Sequence, residues 1–121
     1  MAIGVLRVKS GVSFSVIAPG GFRILSALDQ CASRLSIDLV LTSACDGPHS
    51  GPADPHHKGE AYDVRSRDLS SDEKHVILRT ARGILGDAFF GFLESEGSPS
   101  EHFHFQVRKG AVYPPVVATN D

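Results

Sequence analysis

A small α+β domain, with two helices packed on one face of a mainly antiparallel sheet, is what the hydrophobic patterning predicts. Three observations carry that expectation. Short apolar runs rich in branched and aromatic residues recur at 37–42, 61–64, 88–93 and 102–107, as strands that each bury one face require. Between them lie two stretches with apolar residues at helical spacing, around 22–35 and 71–85. The 121 residues supply one modest core and are too few for two.

Taken in order, residues 3–8 and 12–17 flank Ser10-Gly11 and suggest a hairpin. After the Pro19-Gly20-Gly21 break, Ile24, Leu25, Leu28, Cys31, Ala32 and Leu35 mark the inner face of the first helix. Ile37–Thr42 reads as a buried strand. The segment Ser43–Lys58 is dense in Gly, Pro, Asp, Ser and His, and loops of that length usually carry function. Ala61–Val64 follows as a short strand. Ser70 and Glu73 form a capping box ahead of Val76, Ile77, Ala81, Ile84 and Leu85, and Gly86 should stop that helix. Ala88–Leu93 and 102–107 are strands joined by the turn SEGSPS at 95–100. The tail from Ala111, with Pro114-Pro115, is expected to run extended along the surface.

Composition excludes several functions. A formal net charge of -2 leaves no basic footprint for nucleic acid. No stretch approaches the ~20 apolar residues of a membrane span, and the N-terminal run is too short and interrupted for a signal peptide. The expectation is a monomer made in the cytoplasm, without membrane insertion. Two cysteines argue against a disulfide framework. Cys31 reads as a core residue; Cys45, in the loop, is either a free thiol or a spare metal ligand.

Five of the six histidines fall in two segments, CDGPHSGPADPHHKGEAYDVRSRD at 45–68 and SEHFHFQVR at 100–108. The sixth, His75, is expected to face solvent on the second helix. On strands, Ala61 and Asp63 share a face, as do His102 and His104, with Phe103 and Phe105 turned to the core. A loop histidine, a strand carboxylate and a histidine from another strand make a three-ligand metal site with a fourth position open. Zinc in such a site lowers the pKa of its water to about 7. Gly59 would allow a sharp turn between loop and strand, and Ala61 would clear room beside Asp63. Glu101 is expected at the strand entrance, its carboxylate turned toward the site.

These segments resemble the two signatures of the LAS group of zinc metallopeptidases. That group includes D-alanyl-D-alanine carboxypeptidases and dipeptidases, phage and bacterial L-alanyl-D-glutamate endopeptidases, and the zinc fold of hedgehog signalling domains. The first signature, H-x-x-G-x-A-x-D, is here His56-His57-Lys58-Gly59-Glu60-Ala61-Tyr62-Asp63. The second, E-x-x-H or H-x-H, is Glu101-His102-Phe103-His104. The resemblance covers residues 39–107 and implies a hedgehog/D-Ala-D-Ala peptidase-like fold forming one zinc peptidase-like catalytic domain. It implies that His56, Asp63 and His104 hold Zn2+, that Glu101 is the general base, and that His102 hydrogen-bonds the tetrahedral intermediate. His49 would lie near the substrate cleft, as in relatives with a DG-x-H lead-in. His57 takes the place of His56 if the loop register differs.

The implied reaction is hydrolysis of an amide bond in the D-amino-acid-containing stem peptides of peptidoglycan. A phage lysis enzyme, released to the cell wall by a separate factor, would fit. The alternative is a non-catalytic zinc-binding module of the same fold, serving in binding or assembly. The chain departs from the pattern at Asp54, where many members have Ser. It departs again at Ser43-Ala44-Cys45-Asp46-Gly47, which lacks an Arg that clamps a substrate carboxylate. Arg65 and Arg67 are the cations that could replace it.

Overall fold

The computed structural model describes residues 4–45, 54–56 and 58–111. Its elements are β1 (Leu6–Val8), α1 (Pro19–Leu35), β2 (Leu39–Ser43), β3 (Ala61–Arg65), α2 (Ser71–Leu85), β4 (Phe89–Glu94) and β5 (His102–Val107). The strands form one sheet in the order β1-β2-β3-β5-β4. Three of its pairings are antiparallel, and β1 with β2 is parallel. The α+β class and the placing of two helices on one face are as the sequence predicts.

Alternation decides which side of the sheet is covered. Leu39, Leu41, Tyr62, Val64, Phe89, Phe103, Phe105 and Val107 enter the core with Ile24, Leu28 and Cys31 of α1 and Ile77, Leu78 and Ala81 of α2. Intervening strand residues therefore face away from the helices, an arrangement antiparallel sheets tolerate with one face in water. The α2 boundaries follow their signals. The Ser70 hydroxyl accepts from the Glu73 amide, Glu73 reaches back to the Ser70 amide, and Gly86 caps the C-terminus at φ 79°.

The N-terminal hairpin does not form. Leu6, Arg7 and Val8 instead pair with Leu39, Val40 and Leu41, with α1 as the crossover. Residues 12–17 give their polar groups elsewhere. The Ser13 carbonyl accepts from the Cys45 amide at 2.8 Å, and the Val16 carbonyl lies 3.2 Å from Cys45 Sγ. Helix α1 also begins at the expected break rather than after it. Pro19 stands at its start, where a missing N–H costs nothing, and Gly20 and Gly21 are buried in its first turn. A Cβ on Gly21 would collide with the Gly59 carbonyl and the Tyr62 hydroxyl, so glycine is what lets α1 approach the site loop.

Candidate metal centre

Three strands and one turn bring ionisable side chains to the uncovered face. With Tyr62, Val64, Phe103 and Phe105 packed inward, Asp63, His102 and His104 point outward. Register then sets Asp63 opposite His104 and Glu94 opposite His102. His56 arrives from a tight turn in which the Pro55 carbonyl accepts from the Lys58 and Glu60 amides and the His56 carbonyl from the Gly59 amide. Gly59 has φ 71°, and a Cβ there would strike the Val16 carbonyl. The Gly59 carbonyl in turn accepts from Tyr62 Oη at 3.0 Å and from the Ala18 amide at 3.3 Å. The turn is thus pinned between the start of α1 and the core side of β3.

Asp63 Oδ1 is the hub. It lies 3.1 Å from His56 Nε2, 2.9 Å from His104 Nδ1 and 3.6 Å from His102 Nε2. Glu94 Oε2 stands 2.9 Å from His102 Nε2 and 3.8 Å from His104 Nδ1. Each ring also has an outer acceptor. Asp54 Oδ1 is 2.8 Å from His56 Nδ1, the Ser100 carbonyl 2.9 Å from His102 Nδ1, and Gln106 Oε1 2.9 Å from His104 Nε2. A neutral imidazole has one N–H to donate. Spent on the outer acceptor, it leaves a lone pair facing an inner carboxylate, a contact that only an imidazolium or an intervening cation makes favourable. An outer partner that fixes the ring and aims its free nitrogen is the usual support of a metal-ligating histidine.

Electrostatics of the pair follow from burial and contact. Burial by itself pushes His56 and His104 down, but the hydrogen bonds and charge of Asp63, joined by Asp54 at His56 and by Gln106 at His104, together outweigh it and both rings are raised above the ordinary value. Burial pushes Asp63 up, and the hydrogen bonds of His104 and His56 reverse it, holding the carboxyl well below the usual range. Asp63, Glu94, His102 and His104 form a group whose ligand atoms all lie within 4.8 Å of one another and could hold a metal ion. His56 adjoins that group through Asp63.

The structure therefore brings His56, Asp63, His102 and His104 together and leaves Glu101 out. Its carboxylate does not turn toward the cluster. Glu101 Oε1 is 2.6 Å from Lys74 Nζ of α2 and accepts from Ser66 Oγ at 2.7 Å, while Oε2 accepts from the Gly97 amide at 3.0 Å. Strand parity is the reason: residues 101, 103 and 105 share the helix-covered side, and a lysine waits there. The second carboxylate beside the histidines, after Asp63, is Glu94, which the sequence reading missed because it ended the strand Ala88–Leu93 one residue short. The usable signal was the hairpin itself, in which one more residue of β4 falls opposite His102.

His75 is exposed on α2, its Nδ1 2.8 Å from the Ser71 carbonyl, as expected. Cys31 is buried with its thiol pushed up to about 11 by burial. Cys45 is a free thiol and does not belong to the ligand group found among the described residues. Arg65 pairs with His102 in the register of β3 and β5, and Arg67 is exposed. His49, His57 and the Pro114-Pro115 tail lie outside the described residues. No helix among the described residues is long and apolar enough to cross a membrane. Comparison with protein-family models, curated proteins and solved structures yields no significant match, so the centre is defined by its own geometry.

Proposed function

We propose that this protein is a zinc-dependent peptidase that hydrolyses an amide bond in the D-amino-acid-containing stem peptides of bacterial cell wall, as a phage lysis enzyme would. One observation carries the metal: His56 stands between the carboxylates of Asp54 and Asp63, and Asp63 also meets His104. Two imidazoles and one carboxylate are a donor set zinc accepts in hydrolytic sites, and the anchored rings fit it. Bound there by His56, Asp63 and His104, zinc supplies the Lewis acidity that polarises an amide carbonyl. His102 lies on the same face, its Nε2 turned toward Glu94 and Asp63.

The neighbouring surface suits a peptide. Phe90 and Phe92 stack with ring centroids 5.8 Å apart, Phe92 lies 5.4 Å from the His104 ring, and the Arg108 guanidinium sits 5.5 Å over Phe90. A groove of about 540 Å³ along β4 is lined by these rings with Arg82 and Arg108, an apolar shelf with cations for a carboxylate-bearing chain. The non-catalytic zinc-binding module is the second reading, and the pairing of Glu101 with Lys74 favours it, since the implied base is engaged elsewhere.

Purified protein, zinc-loaded or chelated, incubated with purified peptidoglycan distinguishes the two. Zinc-dependent release of fragments whose masses identify one cut peptide bond is expected, lost in His104→Ala. A protein that retains zinc without cutting any wall peptide would leave the binding module, and one that retains no zinc would end both.

A further inference from the structure

We infer that the open face binds two divalent cations that share Asp63, one held with His56 and His104 and the other with His102 and Glu94. This rests on the metal reading above and extends it. Ligand atoms about 2.0–2.2 Å from one zinc lie no more than roughly 4.4 Å from one another. Asp63, Glu94, His102 and His104 form one compact group, and His56 stands outside it although its Nε2 is 3.1 Å from Asp63 Oδ1. Five donors are thus too spread for a single ion; His104, whose Nδ1 lies 2.9 Å from Asp63 Oδ1 and 3.8 Å from Glu94 Oε2, goes with the nearer carboxylate and so with His56.

The second set is built like the first. His102 is anchored on its outer side by the Ser100 carbonyl, so its Nε2 looks inward at Glu94, 2.9 Å away, and at Asp63, 3.6 Å away. His56 is anchored by Asp54 and looks inward at Asp63 in the same manner. The backbone holds both sets, because Glu94 opposite His102 and Asp63 opposite His104 are direct cross-strand partners in adjoining ladders. Two-metal hydrolytic sites keep their ions roughly 3.5–4 Å apart and clamp the attacking and leaving atoms together, and that is the chemical class two such sets would form.

Zinc alone is the probe, titrated calorimetrically into metal-free full-length protein, with bound metal counted after gel filtration. Two equivalents are expected for the wild type. One is expected for Glu94→Gln and for His102→Gln, both near-isosteric changes at positions solvent reaches, and the equivalent they keep should disappear when His56→Ala is added. Asp63→Asn should weaken both equivalents; loss of only one would overturn the shared carboxylate. A wild type binding one equivalent that Glu94→Gln leaves intact overturns the second ion while the zinc peptidase reading stands. One equivalent lost with Glu94→Gln and indifferent to His56→Ala overturns the two-ion centre and the ligand assignment together. No bound zinc overturns everything proposed for this face.

Discussion

Asp54 shows how much a single carboxylate can decide. Its Oδ1 accepts from the His56 amide at 2.9 Å and lies 2.8 Å from Nδ1 of the same ring, so it shapes the turn and fixes the tautomer together. Asp54→Asn should lower zinc affinity about 10–100-fold, as loss of an outer-shell partner does, in a competition titration with a chromophoric chelator. Unchanged affinity would reduce Asp54 to a turn former. Glu101 makes the opposite point. The Gly97 amide, Lys74 and Ser66 hold its carboxyl down to about 2 from an ordinary 4.5. A lowered folded-state value stabilises above the unfolded value and is lost as pH falls through the folded one. The contribution should therefore be whole above pH 4.5 and drain away toward pH 2. Glu101→Gln should flatten that acid limb in pH-dependent unfolding; an unaltered limb would show that the contacts add nothing. His56, Asp63 and His104, the residues the resemblance implies, meet in the structure, whereas Glu94 could not be read from the sequence, because its contact depends on a partner eight residues away.

At the scale of elements, the turn before β3 and the cap of α2 are separable. Gly59→Ala places a side chain at φ 71° against the Val16 carbonyl and should cost about 1–3 kcal/mol while also weakening zinc binding, since His56 rides on that turn. Ser70→Ala removes one half of a capping box and should cost about 1 kcal/mol with zinc binding untouched. Denaturant unfolding with and without zinc reads both; equal effects on the metal would deny the turn its special part. The capping box and Gly86 were legible because their partners lie within four residues. The N-terminal strand was misread for the reverse reason. Its apolar run fits a hairpin and a parallel pairing equally well, and only β2, beyond a whole helix, settles which.

Across the whole molecule, one face of the sheet holds the core and the other holds the charges. The side chains proposed to hold zinc come from β3, β5 and the turn before β3 and converge only in the folded chain, so on that reading metal binding and folding would be linked. Zinc at 100 times its dissociation constant should add about 2.7 kcal/mol of stability for one site, read as a rise in melting temperature that chelation reverses. His104→Ala should show a clearly smaller rise, that of the ion held with His102 and Glu94; an equal rise would mean that no zinc is held with His56 and His104.

Periodicity, caps and strand parity are short-range properties, and from them the amino-acid sequence determined the two helices, most of the strands and which side of β5 carries His102 and His104. Pairings between distant segments were decided by tertiary structure alone: β1 beside β2, Glu94 across from His102, Lys74 against Glu101. The physical reason is that alternation tells which face a side chain takes, while the neighbour it meets there depends on strand order and register. Those are set by how the whole core packs.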